Sequence, residues 1–221
     1  MSKFSCIGAC MLVMLASVSA VAGSLTVASY SMYNGGAATY TYWDSTYLPC
    51  TGGDCTTTGA FLSGGKGLLT DGTVPTLNWN NGGSAQWVGW YIGFTNENDP
   101  TITFNFASTV TVNSVTAWVD NTNGTGGVAL PLSVCVDVTH CLTAPDAGSP
   151  SSGPTSYTIS GLNISGSSFT VQFDQNPADG WVMAGEVQFQ GTAGATVPEP
   201  ATWALMAGAV AFALLRRRRS F

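Results

Sequence analysis

The strongest constraint on this chain is a two-residue hydrophobic alternation that recurs in widely separated segments. In Ile102-Thr103-Phe104-Asn105-Phe106, and again in Phe169-Thr170-Val171-Gln172-Phe173, every second residue is apolar. Successive side chains of a β-strand point to opposite faces, so each segment predicts a strand with one buried face. Seven further runs are rich in β-branched and aromatic residues: 25–33, 38–43, 86–94, 110–119, 132–138, 156–159 and 182–189. Turn formers such as Asn80-Asn81-Gly82-Gly83 and Asn123-Gly124-Thr125-Gly126-Gly127 separate them. No helical periodicity interrupts this pattern before residue 200. So many short strands in one span predict an all-β fold, an antiparallel β-sandwich or jelly roll over residues 23–192.

The two ends carry a different signature. Residues 1–22 read as a cleaved signal peptide, with Lys3 in the charged region, an apolar stretch from Ile7 to Val18, and Ala20-Val21-Ala22 as the cleavage site. At the other end, Val197-Pro198-Glu199-Pro200 precedes an uncharged run from Ala201 to Leu215, then Arg216, Arg217, Arg218 and Arg219. A helix of that run covers only about 22 Å at ~1.5 Å per residue, short of the ~30 Å hydrocarbon core. The arginine block resolves the ambiguity, because four guanidinium groups stay at the cytoplasmic headgroups and stop the chain there. The expected order is therefore a linker over 193–200, a transmembrane helix over 201–215 and a basic cytoplasmic tail over 216–221.

This ending resembles the PEP-CTERM sorting signal, which is Pro-Glu-Pro, a membrane helix and a basic cluster in that order. The resemblance implies that the chain is a substrate of exosortase, a membrane-embedded cysteine transpeptidase-like enzyme that cuts near Val197-Pro198-Glu199-Pro200. It also implies an inner-membrane-anchored precursor, a mature protein at the cell surface or outside the cell, and a role in exopolysaccharide or biofilm.

Between the two ends, Lys66 is the only basic residue other than His140, set against eleven Asp and Glu. A body of that charge repels nucleic acid and anionic membrane surfaces, since neither counterion release nor attraction favours contact. Its four cysteines form two close pairs. In an exported chain they predict the disulfides Cys50–Cys55 and Cys135–Cys141, with a zinc site as the competing reading. Neither pair has the two-residue spacing of a zinc knuckle, and His140 is the only histidine.

The order of motifs in the body resembles the discoidin, or galactose-binding-like, jelly roll. Leu69-Thr70-Asp71-Gly72 comes first, followed by Trp87-Val88-Gly89-Trp90 and the strand beginning at Thr101. Then come Pro131-Leu132-Ser133-Val134 and a closing Ala184-Gly185-Glu186-Val187-Gln188-Phe189. The resemblance implies carbohydrate binding, and it places Asp71 and Glu186 where sugar-binding members hold a structural calcium. Calcium takes six to eight oxygen ligands, so two carboxylates would supply part of its shell. The alternative leaves Asp71 capping its own Asp-Gly turn and Glu186 as an ordinary strand residue. Among the aromatic residues, most are expected in the core; Trp79 and Trp181, read as loop residues, are the candidates for stacking on a sugar. No catalytic constellation is evident: Gly-x-Ser-x-Gly, His-Glu-x-x-His and phosphate-loop patterns are all missing. The expectation is a non-catalytic surface or matrix protein, with a carbohydrate-binding module as the first alternative and a polysaccharide-acting hydrolase, its acids converging from distant strands, as the second.

Overall fold

Three consecutive exposed residues, Ala107, Ser108 and Thr109, break the alternation of the longest apolar-polar run, and the sheet bends there. In the computed structural model, which describes residues 22–50, 55–93, 99–122, 124–143, 153–177 and 179–194, nine strands follow one another. They are β1 (Gly23–Leu25), β2 (Ser29–Tyr33), β3 (Phe61–Gly65), β4 (Val88–Tyr91), β5 (Thr101–Val119), β6 (Ser133–Val136), β7 (His140–Thr143), β8 (Thr155–Asp174) and β9 (Trp181–Ala193). All pairings between them are antiparallel.

β5 and β8 pair along their whole length, with a register break between Asn105 and Val110. Before the break, β5 lies between β2 and the end of β8, and β6 and β7 continue that layer. After it, β5 lies between β9 and the start of β8, with β1 and β4 on the far side of β9. Two long bent strands therefore run through both layers of a sandwich. The layers meet through aromatic rings: Phe104 packs edge-on against Phe189 at 5.1 Å, and Trp90 lies over Phe173 at 6.3 Å. Ile102, Phe104, Phe169, Val171 and Phe173 are all buried, as their alternation predicts.

The structure contains both expected disulfides. Cys135 and Cys141 face each other directly across β6 and β7, with Cα atoms 4.0 Å apart. Cys50 and Cys55 close a short loop with Cα atoms 5.9 Å apart.

Two expectations about strands need correction. Residues 38–43 do not form a strand. Ala37 and Tyr40 exchange both backbone hydrogen bonds (2.9 and 2.8 Å) around a tight turn, with Ala38 in the left-handed region at φ 46°. The Asn34 side chain then closes the loop, accepting from the backbone N–H groups of Gly35 (3.0 Å) and Asp44 (2.9 Å). Conversely, the glycine-rich segment Phe61–Gly65, read as loop, pairs with β2 as β3.

The signal peptide, Val197-Pro198-Glu199-Pro200, the run 201–215 and Arg216 to Arg219 all lie outside the described residues. Among the described residues no helix is long and apolar enough to cross a membrane.

Candidate functional site

Trp181 opens β9 opposite Tyr91 of β4. This is a strand position, not the loop position expected for it, and the ring is buried at 8% exposure. Three tyrosines surround it edge-on: Tyr91 at 5.1 Å, Tyr42 at 5.3 Å and Tyr40 at 6.2 Å. Trp79 joins from the opposite wall, 6.0 Å from Tyr42. Together with Ala37, Ala38, Gly126, Val128 and Met183 these rings line a cavity of ≈ 420 Å³. Among the described residues no lining side chain carries a charge. Tyr40, 61% exposed, stands at the rim. Burial raises the Tyr42 phenol above its usual range, with a further push from neighbouring Tyr40.

Trp79 is held by buried polar groups. It starts a 3-10 turn whose backbone N–H donates to Asp120 Oδ2 at 2.6 Å. The other Asp120 oxygen accepts from the Thr122 backbone N–H at 2.8 Å and from the Thr122 hydroxyl. Asn78 and Asn121 tie the same two segments together, through Asn78 Nδ2 to the Asn121 carbonyl at 3.3 Å and the Asn121 N–H back to Asn78 Oδ1 at 3.4 Å. Burial raises the Asp120 carboxyl above its usual range, while these hydrogen bonds oppose the rise. The chain also comes close at Gly126, where φ is +64° and an added Cβ would lie 2.7 Å from the Trp79 ring, so a side chain there displaces the indole. The Trp79 indole N–H is buried and meets no acceptor among the described residues. A buried donor without a partner is uncommon and points to water or ligand as its complement.

Asp71 and Glu186 do come together, at a second place. They line a cavity of ≈ 250 Å³ with Lys66, Thr70, Gly72 and Gln188. Asp71 Oδ1 accepts from the Thr73 N–H at 2.7 Å, the turn-capping role. Glu186, on β9, is 2% exposed; it accepts from the Gly72 N–H at 3.3 Å and from Gln188 at 3.5 Å. The turn-capping contact of Asp71 is thus present, and the Glu186 carboxylate ties β9 to the same turn. The donor set fits part of a calcium shell: two carboxylates and the buried Thr70 hydroxyl, which has no hydrogen-bond partner among the described residues. Among the described residues no three His, Cys, Asp or Glu side chains gather, so backbone carbonyls or water would complete it.

Glu186 makes this cavity testable. Burial pushes its carboxyl up to about 7, with Asp71 adding to the rise and the two hydrogen bonds opposing it. The folded state then keeps its proton over a range where the unfolded chain, titrating near 4.5, has lost it. Stability therefore falls as pH rises from about 4.5 to about 7, by no more than about 3 kcal/mol, and by less where water reaches the carboxylate. Glu186→Gln flattens this part of the unfolding profile. Bound calcium favours the carboxylate and reverses the slope in the same window; an unchanged slope in millimolar calcium would remove the calcium expectation.

Comparison with known proteins addresses the two parts of the chain separately. Residues 196–219 match the PEP-CTERM protein-sorting motif, so the chain carries the sorting motif of exported surface proteins. No curated protein matches the chain. Among solved structures it is similar to truncated AlyQ, a protein with CBM32 and alginate lyase domains (14% identity, TM-score 0.38, covering 80% of this chain and 35% of that one). It spans about a third of that protein's length. It is also similar to CpGH89CBM32-5 from Clostridium perfringens, in complex with GalNAc-beta-1,3-galactose (12%, TM-score 0.34, covering 66% and 90%). A third is the family 32 CBM of C. perfringens NanJ, in complex with galactose (8%, TM-score 0.32, covering 47% and 75%).

Sequence reasoning singled out Trp79 and Trp181, and both line the aromatic cavity. Tyr91 belongs with them in the sequence as a further aromatic able to stack on a sugar, whereas Tyr40 and Tyr42, in a segment whose composition predicts a strand over 38–43, fall in a separate aromatic cluster there and join the same wall only in the fold. The signal available was the Ala-Ala-Thr run between Gly36 and Tyr40, short side chains suited to a tight turn.

Proposed function

We propose that this chain is an exported, non-catalytic glycan-binding protein that takes a neutral sugar in the aromatic cavity. The observation that carries the reading is the lining itself: two tryptophans and three tyrosines around ≈ 420 Å³, with no charged side chain among the described residues. A pyranose ring presents a row of C–H bonds on one face, and these favour the electron-rich face of an aromatic ring. Its hydroxyls at the rim find the polar ends of Tyr and Trp. Binding sites for small ligands commonly combine such an apolar wall with few polar groups. An acidic sugar fits badly, because the cavity offers no cation and the body holds a single lysine against eleven carboxylates.

The sorting motif supplies the setting. The reading has a precursor held in the inner membrane by 201–215 and stopped by Arg216 to Arg219. Exosortase processes it near Val197-Pro198-Glu199-Pro200, and the mature module then reaches exopolysaccharide or biofilm matrix outside the cell. Asp71, Glu186 and Thr70 would hold a structural calcium away from the aromatic cavity, where it would supply fixed positive charge to the turn and to β9 without touching the sugar.

Affinity electrophoresis tests the choice of ligand. Gels containing a neutral galactan or glucan should retard the protein, and gels containing alginate or polygalacturonate should not. Retardation by the acidic polymers alone, or by none of the four, would overturn this reading.

A further inference from the structure

The aromatic cavity is one of two that share a wall. Tyr40 and Tyr42, with rings parallel to within 3° and centroids 6.5 Å apart, line the ≈ 420 Å³ cavity and also a neighbouring cavity of ≈ 400 Å³. The remaining lining of the neighbour comes from Thr39, Thr41, Ser84 and Ala85. Its chemistry is the complement of the first: three hydroxyls and a methyl group where the first has indoles. Its size alone is within the ~300–1,000 Å³ usual for a small-ligand site.

The shared wall is well fixed. The turn at Ala37–Tyr40 closes on itself through paired backbone hydrogen bonds, and the Tyr42 carbonyl accepts from the Gly89 N–H of β4 at 3.0 Å. Ala38 holds a left-handed conformation (φ 46°) that an ordinary L-residue rarely adopts, strain of the kind retained where loop shape matters.

We propose that the two cavities are adjacent subsites of one cleft, and that the ligand is an internal stretch of a neutral polysaccharide lying across Tyr40 and Tyr42. One residue stacks among Trp79, Trp181 and Tyr42. The next hydrogen-bonds to Thr39, Thr41 and Ser84. Both cavities open to solvent, which leaves room for the polysaccharide to continue past the two residues held there. This inference rests on the glycan-binding reading above and adds the length and internal attachment of the ligand.

Calorimetric titration of the full chain with two series of neutral sugars tests it: glucose to cellotetraose, and galactose to β-1,4-galactotetraose. In the series that binds, affinity rises at least tenfold from the monosaccharide to the disaccharide. Ser84→Phe, which fills the second cavity from an exposed position, removes that gain and leaves monosaccharide affinity within twofold of the parent. A monosaccharide bound as tightly as its tetrasaccharide overturns the second subsite while leaving the aromatic site intact. Failure of every member of both series to bind overturns the subsite together with the glycan-binding reading.

Discussion

Replacing Trp181 with alanine is expected to lower the unfolding free energy by about 3–5 kcal/mol, the usual cost of removing a buried tryptophan. The ring is 8% exposed. It is the hub of the aromatic cluster, meeting Tyr40, Tyr42 and Tyr91 edge-on, and it belongs to one buried cluster with Ala37, Trp87, Val128 and Met183. Each edge-on contact adds about 0.5–1.5 kcal/mol beyond the area it buries. Its backbone carbonyl also accepts from Ala129 at 3.1 Å, a bond the substitution keeps, so the loss comes from the ring. Urea unfolding followed by circular dichroism reads it directly. A loss smaller than about 1 kcal/mol would show that Trp181 is not the packing hub described here. Trp79→Ala is the informative companion. Trp79 is half-buried at the cavity wall, and its loop remains pinned by the bond from its backbone N–H to Asp120, so that variant loses glycan binding at a smaller cost to the fold.

The second large effect concerns the other end of the chain. Changing Pro198, Glu199 and Pro200 together to alanine is expected to leave export unaffected and to hold nearly all of the protein in the inner-membrane fraction. The substitution leaves the apolar run 201–215 and the four arginines unchanged, so the anchor survives and only processing is lost. Fractionation followed by intact-mass measurement checks both halves. The parent should lose roughly residues 201–221 and the variant should keep them. A variant that still reaches the surface at its processed mass would leave Val197-Pro198-Glu199-Pro200 as a plain linker.

The fold was more legible than the site, and the reason is local. Alternation in 102–106 and 169–173 marks strands because each has one buried face, and the structure buries those residues. The same residues cannot reveal that β5 and β8 run on through both layers, because the bend depends on pairing at Asn105–Val110 between segments far apart in sequence. The Cys135–Cys141 bridge was legible because its partners sit across a short hairpin. Residues 38–43 were misread because Thr, Tyr and Trp favour strands, whereas Asn34 and Asp44, distant in the pattern, close them into a loop. Trp79 and Trp181 could be named from sequence, but their meeting could not. That meeting requires β9 to pair with β4 and Asp120 to hold the Trp79 turn, and Asp120 itself gave no sign in the sequence. Asp71 and Glu186 line one cavity, and the pH slope in calcium described above tests whether they hold a cation there.

The central claim is that sugar binds among Trp79, Trp181 and the tyrosines, and indole resonances report on it residue by residue. Cellobiose and β-1,4-galactobiose are added in turn to nitrogen-15-labelled protein, and the tryptophan side-chain N–H signals are followed. One of the two sugars should shift the signals of Trp79 and Trp181. The signals of Trp90, which donates to the Tyr33 carbonyl in the core at 2.8 Å, and of Trp118, which pairs with Glu186 across the sheet, should stay in place. No shift with either sugar, or shifts at Trp90 or Trp118 in place of Trp79 and Trp181, would contradict the account.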